Sequence, residues 1–168
     1  MATENLKNQQ AIDKLKELVD RIDIGMMATY PKNDQYIYSV PMSRQEVDEH
    51  GNIWFLFSAK CNTHKNLLSD NRISILFAKP SDYTFLTVHG TGEILRDQAR
   101  IDKYWNPFME GWFEMGKDDP DIRILKVSVE DANYWDTQSN KMFTFFKMIK
   151  NAITNDKMDI GREGSLDI

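Results

Sequence analysis

Short segments in which apolar and polar residues alternate recur along most of this 168-residue chain. Clear examples are residues 35–44, 72–79 and 122–129, and residues 53–58 (IWFLFS) form an almost wholly apolar run. A period of two is typical of β-strands that bury one face. Because no regular crossover helices separate these segments, the pattern predicts a closed or nearly closed antiparallel barrel and argues against a doubly wound parallel sheet.

Two of the predicted strands carry residues that interrupt regular pairing. Pro41 has no N–H to donate, so the strand at residues 35–44 is predicted to have an edge or a bulge there. Gly90 and Gly92 interrupt the segment 83–95, which predicts a sharply bent barrel strand. The Gly90-Thr91-Gly92 stretch lacks the third glycine of a dinucleotide-binding motif, so it is interpreted as a bend and not as a cofactor loop.

Helical spacing is confined to the ends and to short connections. Ile12, Leu15, Val19 and Ile22 predict an amphipathic N-terminal helix, and residues 62–71 predict a short helix that Asn62 or Thr63 caps. Further helices are predicted from an Asp97 cap to Trp105 and over residues 141–153. Residues 1–153 are therefore assigned to one domain, and residues 154–168 are expected to form a charged, loosely ordered tail.

Composition excludes several classes of protein. A formal net charge of −5 argues against a nucleic-acid-binding surface, and no apolar run reaches the length of a membrane span. The single Cys61 excludes an internal disulfide and a thiolate zinc site, and it fits a reducing compartment. Without a visible signal peptide, a cytoplasmic location is expected. His50, His64 and His89 are not spaced as metal ligands, so no metal site is predicted.

One constellation is suited to an anion. Ser58 ends a predicted strand, and a helix begins shortly afterwards with Thr63, His64 and Lys65 in its first turn. Free N–H groups, hydroxyl donors and a lysine charge together suit a phosphate group. The alternative is a solvated Lys65 on a surface helix with no ligand, and the spacing alone leaves that alternative open.

Neighbouring segments suggest what such an anion would belong to. The irregular strand Val40–Ser43 offers backbone groups to the polar edge of a flat heterocycle. Trp135, in a late predicted strand, could pack against the ring of such a heterocycle, and Trp112 and Phe113 could cover that ring. Each of these aromatic residues could instead serve only as core. The residues thus predict a pocket for a flat phosphorylated molecule.

Several blocks of the sequence resemble one family over nearly the whole chain. They are SVPM at 39–42, GNIWFLFS at 51–58, THKNLLSDNRISILFA at 63–78, GTGEILRD at 90–97, WNPFMEGWFEMGKDDPDIRILKV at 105–127 and NYWD at 133–136. This combination resembles the general stress protein 26 branch of the pyridoxamine 5'-phosphate oxidase-like split barrels, which bind flavin mononucleotide (FMN). The resemblance implies a mainly β fold with peripheral helices, an antiparallel split β-barrel, and a homodimer with the flavin site at the subunit interface.

The resemblance also assigns roles to individual positions. It implies that residues 40–43 run along the isoalloxazine ring, that residues 57–58 and 64–65 bind the phosphate, that Trp135 stacks on the ring, and that Lys141 is a further basic group. With the residues chosen on physical grounds, the predicted cofactor-binding set is Val40, Pro41, Met42, Ser43, Phe57, Ser58, Thr63, His64, Lys65, Trp112, Trp135 and Lys141.

Departures from the family pattern limit the functional prediction. Val40 and His64 stand where many relatives have arginine, and the arginines that bind substrate in true pyridoxamine phosphate oxidases are missing after Trp135. That vitamin conversion is therefore not expected, and no catalytic side chain is assigned. An FMN-dependent oxidoreductase, stress-associated by resemblance, is the first hypothesis. A non-catalytic flavin carrier or redox-responsive binding protein is the second, and a deazaflavin or haem in the same barrel is the third.

Overall fold

A computed structural model describes residues 2–136 and 162–168 of the chain. The strands are β1 (Ala2–Thr3), β2 (Leu6–Lys7), β3 (Ile24–Thr29), β4 (Tyr38–Val47), β5 (Ile53–Ser58), β6 (Arg72–Lys79), β7 (Thr84–Leu95), β8 (Ile122–Asp136) and β9 (Arg162–Asp167). The α-helices are α1 (Gln9–Arg21), α2 (Asn62–Leu67) and α3 (Gln98–Tyr104), and 3-10 turns lie at Pro80–Asp82, Pro107–Gly111 and Gly116–Asp118. The predicted helix at residues 141–153 lies outside the described residues.

Six strands close into a barrel. Each strand pairs antiparallel with the next in the order β5-β4-β3-β6-β7-β8, and β8 pairs back onto β5. The alternating segments supply the interior, where residues such as Phe55, Ile75, Val88 and Leu125 are fully buried. The predicted mainly β class and antiparallel barrel are therefore confirmed.

The barrel is split along part of β4. Residues 38–43 of β4 pair with β3, whereas pairing with β5 begins only at Arg44 and includes a register shift between Arg44 and Glu46. Among the described residues, no strand covers the β5-facing edge of residues 38–43. Pro41 lies on this half-paired stretch, where a missing N–H costs least. Of the predicted edge or bulge, the structure shows the edge at Pro41, and the register shift lies further along, between Arg44 and Glu46.

The bend predicted at Gly90 is also confirmed. The register between β7 and β8 shifts between His89 and Gly90. A Cβ atom at position 90 would lie 2.0 Å from the carbonyl oxygen of Ser128, which is far inside any tolerated contact. The backbones of β7 and β8 approach closely here because position 90 carries no side chain.

Helix α1 packs its apolar face on the barrel through four buried residues, Ala11, Leu15, Leu18 and Val19. It is also tied to the end of β8 by the buried carboxylate of Asp136. Lys14 Nζ donates to Asp136 Oδ2 at 2.8 Å, Arg21 Nη1 donates to Oδ1 at 3.2 Å, and the Thr84 hydroxyl donates to Oδ1 at 3.3 Å. These four residues form the Asp136 cluster.

The expectation of a loosely ordered tail is wrong for residues 162–167. They form β9, which pairs antiparallel with β8 and parallel with β1 and β2. The segment REGSLD gives no alternating signal, yet Leu166 is buried between Leu6 and Ala132 in the register. None of the helices in the described ranges is both long and apolar enough to cross a membrane.

Candidate functional site

A cavity of about 600 Å³ lies at the split of the barrel. Its walls come from β4 and β5, from the start of α2, and from residues 106–116, here called the aromatic connector. The described lining residues are Tyr38, Val40, Pro41, Met42, Ser43, Gln45, Leu56, Phe57, Ser58, Cys61, Thr63, Asn106, Phe108, Met109, Trp112 and Phe113. Such a volume is typical of cofactor and substrate sites.

The structure brings eight of the twelve predicted residues to this one cavity: Val40, Pro41, Met42, Ser43, Phe57, Ser58, Thr63 and Trp112. His64, Lys65 and Trp135 are not among its described lining residues, and Lys141 lies outside the described residues. The roles of all twelve in cofactor binding stay predictions.

The β4 wall presents backbone as well as side chains. Along residues 40–43 the side chains alternate between half-buried (Val40, Met42) and exposed (Pro41, Ser43). Since the β5-facing edge of this stretch has no strand partner in the described residues, its carbonyl and amide groups are available to a ligand. The sequence predicted such an edge, with backbone groups open to a flat heterocycle, for the irregular strand at residues 40–43.

The α2 end of the cavity contains a buried threonine. Thr63 is only 2% exposed and lines the cavity, and its side chain has no hydrogen-bond partner in the described residues. The predicted cap was wrong, because the residue before the helix is Cys61, and it makes no side-chain capping bond. Helix α2 has only six residues, so its dipole is short. Side chains must therefore supply most of the positive charge that balances an anionic ligand here.

Two cations near α2 have no carboxylate partner in the described residues. Lys65 is exposed on α2, and Arg123 on β8 pairs in register with Phe57 and bonds only to the carbonyls of Pro120 and Ile122. By contrast, Lys60 Nζ lies 2.6 Å from Asp121. The sequence reasoning missed Arg123, whose opposition to Phe57 becomes visible only from the β5–β8 register.

His64, the residue before Lys65, packs beside Phe57 and is close enough to Arg123 to be affected by its charge. Its ring centroid is 6.0 Å from that of Phe57, with the ring planes tilted by 45°. Burial lowers the pKa of His64 below its usual value of 6.5, and the nearby charge of Arg123 lowers it further. Without a ligand, His64 is therefore mainly a neutral hydrogen-bonding group at pH 7.

Trp135 lies elsewhere, on the outer face of the barrel. It is 37% exposed, its Nε1 donates to Glu163 Oε2 at 3.1 Å, and it pairs in register with Phe85. Exposed apolar residues continue across this face to the β4 edge: Ile24, Met26, Leu76 and Phe85. Met26 pairs with both Leu76 and the cavity-lining Pro41, so the exposed face is continuous with the cavity wall.

The aromatic connector contains both buried and exposed apolar side chains. Met109 and Phe113 are buried against Trp54 and Ile122, whereas Phe108 is 88% exposed and Trp112 is 75% exposed. The preceding helix α3 begins at the predicted cap, since Asp97 accepts a bond from the Arg100 amide at 3.1 Å.

A second polar cluster fixes α3 to the barrel. Glu46 Oε2 accepts bonds of 2.6 Å from Lys103 Nζ and from the Tyr104 hydroxyl, and Arg100 Nη1 donates to Tyr104 at 2.9 Å. These four residues form the Glu46 cluster. Through it, α3 positions the connector over the cavity.

Three further polar lining residues, Tyr38, Gln45 and Asn106, were not predicted as site residues. Their positions depend on the β4 bulge and on the path of the connector, neither of which has a local sequence signal. Among the described residues, no group of three or more His, Cys, Asp or Glu side chains is arranged to hold a metal ion.

Comparison with known proteins gives two curated relatives. Protein bli-3 of Neurospora crassa is 27% identical over 135 residues, which are 74% of this chain and 64% of that protein, so the match leaves about a third of the relative uncovered. General stress protein 26 of Bacillus subtilis is 28% identical over 130 residues, which are 74% of this chain and 88% of that protein.

Solved structures share the fold. A general stress protein 26 from Jannaschia sp. CCS1 matches with a TM-score of 0.78 at 20% identity, covering 93% of this chain and 97% of that one. A relative of general stress protein 26 from Clostridium acetobutylicum matches at 0.64 and 27%, covering 79% and 93%. The general stress FMN/FAD binding protein of Xanthomonas citri matches at 0.64 and 24%, covering 77% and 90%.

The profile of one family matches most of the chain, over residues 10–159, and its description is "Pyridoxamine 5'-phosphate oxidase like". The split barrel, the motif blocks and the general stress protein 26 relatives agree with that match. The resemblance drawn from the sequence is therefore confirmed, and the chain belongs to the pyridoxamine 5'-phosphate oxidase-like family, with general stress protein 26 among its relatives.

Proposed function

We propose that this protein binds FMN in the cavity at the barrel split and acts as a flavin-dependent oxidoreductase. The observation that carries the proposal is the convergence of eight of the predicted residues, from three separate segments of the chain and the connector, on one cavity. A similar fold occurs in the general stress FMN/FAD binding protein of Xanthomonas citri. A stress-associated role in the cytoplasm belongs to the same proposal, supported by the general stress relatives and by the free Cys61.

The residues present fit this cofactor. The half-paired edge of β4 supplies backbone groups for the polar edge of a flat ring. The hydroxyl of Thr63, which has no hydrogen-bond partner among the described residues, and the side chain of Ser58 supply neutral donors at the α2 end. Lys65 and Arg123 supply two cations beside that end, which suits a phosphomonoester with nearly two negative charges.

Bound flavin would supply reversible hydride and electron transfer. The chain's own part is to bind, orient and exclude water. None of the described lining residues is an Asp, Glu, His, Lys or Arg, so no general acid or base is assigned there. Van der Waals contact from Met42 and Phe57 and hydrogen bonds from the β4 edge would set the orientation of the ring.

We also propose that the working form is a homodimer. The exposed apolar face formed by Ile24, Met26, Leu76, Phe85 and Trp135 adjoins the cavity through Pro41. A second copy seated on this face would bury the apolar side chains and bring its own Trp135 towards the partner cavity. This arrangement would reconcile the predicted stacking role of Trp135 with its position on the outer face.

The first experiment is the visible spectrum of the purified protein. Flavin absorption that NADH or NADPH bleaches, and that air restores, supports the oxidoreductase. Flavin that no nicotinamide cofactor reduces contradicts it and favours a non-catalytic carrier. Mass spectrometry of the released ligand identifies FMN, and recovery of a deazaflavin or haem instead contradicts the FMN assignment.

The dimer is tested by light scattering during gel filtration. Leu76→Glu places a charge on the exposed face, and we expect a monomer that releases flavin. Lys117→Glu, at an exposed residue that directly follows the connector, is the control and should remain dimeric. A wild-type protein that is monomeric when saturated with FMN would contradict the dimer without touching the assignment of the cavity.

A further inference from the structure

Two large aromatic side chains of the connector are exposed to solvent, although aromatic side chains are usually buried. Phe108 and Trp112 both line the cavity, yet 88% and 75% of their surfaces are open to solvent. The same segment buries Met109 and Phe113, so it is well anchored. Large aromatic side chains contribute most when they are covered, and exposed ones at a cavity mark a surface for a flat ligand.

A polar donor is fixed beside these two rings. Asn106 Oδ1 accepts a hydrogen bond from the Phe108 amide at 3.1 Å, which commits the oxygen of the side-chain amide. Its Nδ2 group can only donate, and it has no partner within the described residues. A cavity-lining Asn106 therefore offers a hydrogen bond to an acceptor oxygen of a ligand.

The rest of the described lining is neutral. It consists of apolar side chains together with the hydroxyl, amide and thiol groups of Tyr38, Ser43, Gln45, Ser58, Cys61, Thr63 and Asn106. Lys65 and Arg123, which have no carboxylate partner in the part of the chain that the structure describes, belong to the α2 and β8 side and do not line the cavity there. A ligand charge buried under the connector would therefore lose hydration without gaining a counter-charge from the residues seen there.

We propose that Asn106, Phe108 and Trp112 bind an uncharged, flat aromatic compound with a carbonyl or hydroxyl oxygen, as the substrate class of this site. Its use as a substrate rests on the proposed flavin function, whereas the binding preference rests on the cavity alone. The rings would be covered by Phe108 and Trp112, and the oxygen would accept a bond from Asn106 Nδ2.

Three naphthalene probes of nearly one shape test this preference. They are 2-acetonaphthone (neutral, with a carbonyl), 2-naphthoate (the same outline with a charge) and 2-ethylnaphthalene (neutral, without oxygen). Calorimetric titration into FMN-saturated protein gives the affinities without any turnover. We expect 2-acetonaphthone to bind at least about tenfold more tightly than 2-naphthoate, and several-fold more tightly than 2-ethylnaphthalene.

Variants of the connector locate the binding. Trp112→Ala should weaken the binding of 2-acetonaphthone about fivefold, whereas Met115→Ala, another exposed apolar residue of the connector that does not line the cavity, should leave it unchanged. Asn106→Asp keeps the acceptor for the Phe108 amide but removes the donor. It should weaken 2-acetonaphthone and leave 2-ethylnaphthalene unaffected.

Equal affinity for 2-naphthoate, or an unchanged affinity in Trp112→Ala, overturns the inference. So does displacement of the ketone by FMN, or loss of its binding in Met26→Ser on the outer face instead of in the connector variant. FMN binding is followed separately, by quenching of its fluorescence. If FMN does not bind but the probes rank as expected in the flavin-free protein, the flavin function falls and the binding preference stands.

Discussion

The two helix-bearing flanks of the barrel differ in how they treat polar and aromatic groups. On one flank, α1 lies flat on the barrel with four buried residues, and the Asp136 cluster pairs the buried carboxylate with two cations and a hydroxyl. On the other flank, α3 is held by the Glu46 cluster but leads into a connector with two exposed aromatic side chains. On the first flank the polar groups bond to one another, whereas on the second flank aromatic side chains remain available to a ligand.

This contrast separates stability from binding. Within the described residues, donors without a partner, half-paired backbone and exposed aromatic rings all lie on the split side, where a ligand can use them. The α1 flank contains the longest described helix and a carboxylate that is only 6% exposed. We therefore expect the largest loss of unfolding free energy from mutations on the α1 flank, and the largest loss of ligand retention from mutations at the cavity.

The largest expected effect is on the α1 flank. Asp136→Ala leaves Lys14 and Arg21 without their buried partner, and we expect the free energy of unfolding to fall by about 3 kcal/mol. Glu17 contacts the same two cations from the exposed side, so Glu17→Ala should cost no more than about 0.5 kcal/mol. Urea unfolding measures both variants. Equal losses would remove the distinction between buried and exposed partners.

The second effect belongs to the split side. Lys65→Glu replaces an attraction to a dianion by a repulsion, and we expect FMN affinity to fall about 100-fold with unfolding unchanged. Lys16→Glu reverses another exposed lysine, on α1, and should retain FMN normally. Fluorescence quenching of added FMN measures both. Stoichiometric flavin in the Lys65→Glu protein would place the phosphate elsewhere.

A smaller effect tests whether the Glu46 cluster resembles the Asp136 cluster. Tyr104→Phe removes a hydroxyl that donates to Glu46 and accepts from Arg100, and we expect a loss of about 1 kcal/mol of unfolding free energy. The exposed Tyr36→Phe is the control. Burial, together with the bond to Glu46, raises the pKa of Tyr104 to about 12, so ultraviolet titration should show one tyrosine ionising near that pH.

The smallest effect is a pH dependence at His64. Burial and then Arg123 lower its folded-state pKa below 6.5, so the folded protein takes up this proton less readily than the unfolded chain. The stability contributed is complete above pH 6.5 and is lost as the pH falls through the lowered pKa. Relative to His64→Gln, the wild type should therefore lose stability on acidification from pH 7. A parallel decline in both proteins would contradict this sign.

The fold could be predicted from the sequence because strand alternation, the missing N–H of Pro41 and the missing side chain of Gly90 all act on the backbone next to them. The site was predicted only in part. Residues 40–43 and 57–58 line the cavity because they lie on adjacent barrel strands. Asn106 lines it because of the path of the connector, and Arg123 lies near its α2 end because of the β5–β8 register. Strand β9 was not predicted, because one buried leucine, Leu166, is too little to produce an alternating hydrophobic pattern.

The pairing of β9 with β1 and β2 has a consequence for folding on the ribosome. Within the described residues, these two N-terminal strands hydrogen-bond only to β9, which is synthesised near the opposite end of this sequence. They must therefore remain without a partner during most of translation, while the six barrel strands can already have closed. The seam between the two ends is then the last part of the sheet to form, and a pulling force on either end would open it first.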